Sequence, residues 1–102
     1  MPVLSLFYGL IISMYWMLCP KIINVEPLDD YKIKLHYETG ELKLFNVLPY
    51  ISGKWYEELY NKDYFKTVHL ISNGHGIEWG NGQDIAPHEL YDLSTLLESN
   101  YK

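Results

Sequence analysis

The chain has 102 residues, thirteen carboxylates, eight lysines and no arginine, a net charge of −5. Its length fits one domain, since compact domains run to roughly 100–150 residues. Every charge lies after residue 20, and an acidic chain without a guanidinium lacks the footprint that phosphate backbones require. A single cysteine excludes an internal disulfide and gives no support for an oxidising compartment. With 48% hydrophobic and 21% charged residues, the composition is globular and a cytoplasmic location is expected.

Residues 2–20 carry no charge. As a helix, the apolar run of residues 3–19 reaches only ~25 Å, short of a ~30 Å hydrocarbon layer. No lysine or arginine precedes it, as a secretory signal requires. Aromatic and β-branched residues flank Gly9, so the segment is expected to form a buried or edge hairpin, with a membrane tether as the alternative.

Residues 21–25 form a short apolar strand that stops at Pro27. Tyr31, Ile33, Leu35 and Tyr37 alternate with Lys32, Lys34 and His36, which predicts a half-buried strand. Glu38-Thr39-Gly40-Glu41 makes a hairpin turn, and Leu42 and Leu44 carry the buried face of the returning strand. After Gly53 a short helix is expected, with Trp55, Tyr56, Leu59 and Tyr60 making an apolar stripe that would be its buried face and Glu57 and Glu58 turned outward. Residues 66–71 are a strand, Asn73-Gly74-His75-Gly76 a turn, and Ile77-Glu78-Trp79 the next strand. Gly80-Asn81-Gly82 is a second tight turn. Pro87 opens a last helix, with Leu90, Leu93 and Leu97 on one face and Asp84 and Glu89 at its positive end. The fold class is therefore α+β: a mostly antiparallel sheet built from hairpins, with a short central helix and a C-terminal helix. Residues 17–102 are expected to be its single domain, with residues 1–16 an appended segment.

Residues 17–97 resemble the bacterial domain-of-unknown-function family 2442. The resemblance rests on Leu35-His36-Tyr37-Glu38-Thr39-Gly40, on Asp63-Tyr64-Phe65-Lys66-Thr67-Val68, and most specifically on Ile77-Glu78-Trp79-Gly80-Asn81-Gly82-Gln83-Asp84-Ile85-Ala86-Pro87 followed by Glu89-Leu90-Tyr91. The run from Met1 to Tyr15 resembles the opening of a second such family, number 4160, whose members are often encoded beside the first. Together the resemblances imply a fusion of the two, with its seam at Trp16 and Met17. They also imply a two-gene arrangement of toxin and antitoxin type, in which a companion of the 4160 type is the expected partner.

The chemistry-bearing residues are sparse. His36, His69, His75 and His88 never recur at the i, i+4 spacing that places two imidazoles on one metal. No serine lies in a Gly-x-Ser-x-Gly elbow, and the glycines from Gly74 to Gly82 belong to hairpin turns rather than a phosphate-cradling loop. No catalytic residue, metal or cofactor is therefore assigned. The candidate partner-contact or functional positions are Glu78, Trp79, Asn81, Asp84 and Tyr91. They suit a non-enzymatic interaction module, binding a companion protein or a second copy. No nucleic acid or membrane is expected as a partner. A small hydrolase using Glu78, Asp84 and a histidine is the alternative.

Overall fold

In the computed structural model, the residues described are 19–99. The expected N-terminal hairpin, membrane tether and fusion seam lie outside them. Among the described residues, no helix is long and apolar enough to cross a membrane.

Among the described residues, seven strands form two antiparallel sheets. Strands β1 (Ile22–Leu28), β2 (Lys32–Tyr37) and β3 (Glu41–Asn46) run as a meander, and β7 (Thr95–Ser99) joins the outer side of β3. Strands β4 (His69–Ile71), β5 (Gly76–Glu78) and β6 (Asp84–Ile85) form the smaller sheet. The α-helices among the described residues are short: α1 (Gly53–Tyr56), which continues as a 3-10 turn over Glu57–Tyr60, then α2 (Lys62–Phe65) and α3 (Pro87–Leu93). Their presence beside antiparallel sheets confirms the α+β class.

The alternation in β2 is the clearest link from sequence to core. Ile33, Leu35 and Tyr37 are buried, while Lys32, Lys34 and His36 between them stay partly exposed. Gly40 takes φ 93° in the following turn, a left-handed value that a residue without Cβ adopts freely. Gly74, at φ 90°, lies where a Cβ would stand 2.3 Å from the Ile22 carbonyl oxygen. It lets the turn before β5 lie directly on β1, which joins the two sheets. Trp79, Leu59, Ile77 and Leu90 fill the space between sheets and helices, each fully buried.

Five expectations are corrected. The segment after Gly53 fully buries Leu59 alone and leaves Trp55 and Tyr60 about half exposed, because the helix is only four residues long and the 3-10 turn that follows it from Glu57 breaks the helical stripe. Pro27 does not stop β1, which runs on to Leu28 as an edge strand, where a missing N–H is tolerated. The returning strand has the opposite phase. Ile33 pairs with Phe45 and Leu35 with Lys43, so Phe45 and the stem of Lys43 face inward and Leu42 and Leu44 outward. The strand expected over residues 66–71 begins only at His69, because Asn61 caps a helical turn by accepting from the N–H groups of Asp63 and Tyr64. Finally, α3 ends at Leu93, and Leu97 belongs to β7 instead. Extended backbone at Ser94 turns the chain onto the open side of β3, where Leu96 pairs with Lys43.

Candidate interaction surface

The turn after Trp79 is closed at both ends. The Trp79 N–H donates to the Gln83 carbonyl and the Gly82 N–H to the Trp79 carbonyl, each at 2.9 Å. Gly82 has φ 99°, which frees the turn to reverse so tightly. The reversal sends Trp79 and Gln83 inward and leaves Asn81 and Asp84 on the surface.

Gln83 is fully buried and spends its amide on three partners. Its Nε2 donates to the Trp55 carbonyl at 2.9 Å and to Glu58 Oε1 at 3.0 Å. Its Oε1 accepts from the Tyr64 hydroxyl at 2.6 Å, and that hydroxyl accepts in turn from the Asn81 N–H at 2.6 Å. Asn81 Nδ2 reaches both oxygens of Glu58, at 2.9 and 2.7 Å. Hydrogen bonds to Asn81 and then Gln83 favour the charged form of Glu58 and hold its carboxyl below the usual carboxylate range. Above this network the side chain of Trp55 stands 54% exposed, its ring 4.0 Å from where a Cβ on Gly82 would lie. Tyr56 ties the same helix to β6 through its hydroxyl, which donates to the Asp84 carbonyl at 3.1 Å. Trp55, Glu58 and Asn81 thus share one surface on a polar scaffold, with Glu58 as its charge, and Asp84 stands exposed on the adjoining β6.

Beside it, the register of the smaller sheet sets His69 opposite Glu78 and Glu78 opposite Asp84. His69 Nε2 lies 3.2 Å from Glu78 Oε1, and Nδ1 lies 2.9 Å from the Thr67 carbonyl oxygen. With an acceptor at each nitrogen the imidazolium is favoured. The His69 pKa is raised by the Thr67 carbonyl first and by Glu78 as well. The neighbouring cleft, about 270 Å³, is lined by His75, Asp84 and Pro87 among others, and neither His69 nor Glu78 lines it. Among the described residues, no three His, Cys, Asp or Glu side chains gather as a metal site.

The five nominated residues therefore separate. Glu78, Asn81 and Asp84 belong to this region. Trp79 lies beneath it, fully buried, with Nε1 donating to the Phe65 carbonyl at 2.9 Å, and has no surface to offer a partner. Tyr91 stands apart, on α3 where it packs against the larger sheet. Its hydroxyl donates to Glu41 Oε1 at 2.8 Å, and Lys43 Nζ sits 3.6 Å from the ring centroid. Burial first, then the Glu41 hydrogen bond, push its phenol up to about 12. Sequence reasoning missed Gln83, Glu58 and Trp55. The available signal was parity: Gln83, just before β6, shares the inward phase of Ile85, and a polar side chain there needs buried partners.

A family model described as "Protein of unknown function (DUF2442)" matches residues 22–95. The chain belongs to this family. The DUF2442 match runs from the start of β1 to the first residue of β7, so it takes in the smaller sheet, β1 to β3 of the larger one and the whole surface just described. No curated protein and no solved structure matches the chain.

Proposed function

We propose that this DUF2442 chain is a non-enzymatic protein-interaction module, the acidic member of a bacterial two-gene pair of antitoxin-like type. One observation carries the reading. A fully buried glutamine holds the backbone of an exposed tryptophan and the carboxylate beside it in one fixed arrangement. A large exposed indole on a fixed backbone, with the Glu58 carboxylate beside it, suits a partner with an apolar pocket bordered by lysine or arginine. The net charge of −5 favours encounter with such a basic partner.

The decisive experiment is co-purification of the full chain with the product of a companion gene of the 4160 type, compared with Trp55→Ala. A central tryptophan of an interface costs roughly 2–4 kcal/mol on truncation, so affinity should fall at least ~30-fold. Unchanged binding by a folded Trp55→Ala variant would overturn the assignment of this face.

The hydrolase alternative has one observation in its favour, the cross-strand row of His69, Glu78 and Asp84. That row lies on open sheet surface, where its carboxylates lack the buried setting that tunes acid–base groups. Metal analysis of the purified full chain, with hydrolysis assays, separates the two readings.

A further inference from the structure

Between the end of β1 and α2 lies a cleft of about 290 Å³, and none of its lining residues belongs to the Trp55 surface. One side is the turn Asp29–Tyr31, where Asp30 and Tyr31 take φ 61° and 58° in succession. Residues other than glycine adopt such left-handed values at a cost, and strain of this kind gathers at ligand clamps. The surroundings hold the turn in place. The Tyr31 hydroxyl donates to the Tyr60 carbonyl at 2.7 Å, and the Tyr31 carbonyl accepts from the Val47 N–H at 2.9 Å. Tyr60 and Phe65 each meet the Tyr31 ring edge-on, at 5.6 Å.

The other side is α2, fixed by its Asn61 cap. Lys62 and Lys66, four residues apart, share one flank of this helical turn. The cleft is therefore lined by two carboxylates, Asp29 and Asp30, and by two ammonium groups. All four side chains are exposed, and among the described residues none has a hydrogen-bond or ion-pair partner. The opposite charges thus stand more than 4 Å apart and do not neutralise each other directly. In a chain of net charge −5, this lining sums to zero. Leu28 and Tyr31, both half-buried, add apolar surface to it.

We propose that this cleft binds a small apolar zwitterion, with its ammonium on Asp29 and Asp30 and its carboxylate on Lys62 and Lys66. A molecule carrying both charges on a short apolar body meets both sets at once, which a simple cation or anion does not. Free amino acids and dipeptides with large apolar side chains share this chemistry. The volume is at the small end of the ~300–1,000 Å³ usual for ligand sites, so the ligand is of that size. Its side chain lies on Leu28 and Tyr31, in the manner of clefts that combine apolar walls with a few placed charges.

Two-dimensional NMR of the full chain tests this, with phenylalanine and leucyl-phenylalanine as separate probes that distinguish the two lengths. The expected result is a saturable shift of the Asp30, Tyr31 and Lys66 amide signals with at least one of them. Blocking either charge of that probe, by N-acetylation or C-amidation, should weaken binding about tenfold or more, the scale of one charge-assisted hydrogen bond. Asp29→Asn with Asp30→Asn should abolish the effect of N-acetylation alone, and Lys62→Gln with Lys66→Gln that of C-amidation alone. Asparagine tolerates left-handed backbone, so the turn survives the first pair. No saturable shift with either probe, or an affinity indifferent to blocking, would overturn the proposal. Shifts centred on Trp55 and Asn81 instead would overturn it too.

Discussion

Trp79 and Phe65 are joined twice: the indole Nε1 donates to the Phe65 carbonyl at 2.9 Å, and the two rings lie 5.7 Å apart. The bond locks α2 onto the end of β5, so the indole works through its polar edge as well as its bulk. Trp79→Ala should cost ~3–5 kcal/mol, the range for large aromatics lost from cores. Trp79→Phe keeps much of the ring but leaves the Phe65 carbonyl with only its long 3.4 Å bond from the Val68 N–H, and should still cost about 1–3 kcal/mol. Urea unfolding measures both. A loss below ~1 kcal/mol for the alanine variant contradicts this packing.

Two glycines with similar backbone angles should respond differently to alanine. Gly53 has φ +74° with nothing within 4 Å, so Gly53→Ala meets only the left-handed backbone penalty, about 1–2 kcal/mol. Gly74→Ala would also drive a methyl into the Ile22 carbonyl and should cost about 3 kcal/mol or more. Thermal melts of both variants, side by side, check the difference.

His69 should titrate above the ordinary histidine value of 6.5, in an NMR titration of the imidazole protons. Glu78→Gln should lower its midpoint without abolishing the shift, because the Thr67 carbonyl still accepts from Nδ1. Since the folded value is the raised one, the stabilisation is complete below the unfolded pKa and lost as pH rises through the folded pKa. A midpoint unchanged in Glu78→Gln would show that the ion pair does not form in solution.

For Glu58 the sign is reversed. Its folded carboxyl is depressed, so its contribution is present above the unfolded value and lost as pH falls through the folded one. Asn81→Ala removes the larger cause and should move the Glu58 midpoint upward, as read from its carboxyl carbon shift. Gln83 still donates to Glu58, so part of the depression should remain.

Strand β2 was legible because its inward positions are all apolar and its outward ones all polar. Strand β3 was misread in phase because a lysine occupies an inward position. Lys43 reaches the Tyr91 ring and backbone carbonyl with a long stem, and such amphipathic side chains blur alternation. The C-terminal error has another source. Leu90, Leu93 and Leu97 do fit a helical period, but the free side of β3 captures the chain after Ser94, a tertiary effect that no local window contains. In the candidate surface, the carboxylates and the Asn-Gly turn were visible in sequence. The underlying network was not, since Gln83 and its partners Trp55, Glu58 and Tyr64 are 28, 25 and 19 residues apart.

The placement of β7 has a consequence for the order in which the molecule assembles. The β1–β3 meander uses only neighbouring segments and can form as soon as residue 46 has been synthesised. The fourth strand, and the bond from Tyr91 to Glu41 across fifty residues, must wait for nearly the entire chain. Closing a loop of that size costs entropy before any contact rewards it, which places this step late and makes it slow. Until then Lys43 projects its ammonium group along the inner side of the sheet with no Tyr91 ring to receive it. A growing chain therefore carries a cation over its unfinished core, an electrostatic deterrent to premature pairing along β3 that is relieved only when α3 arrives.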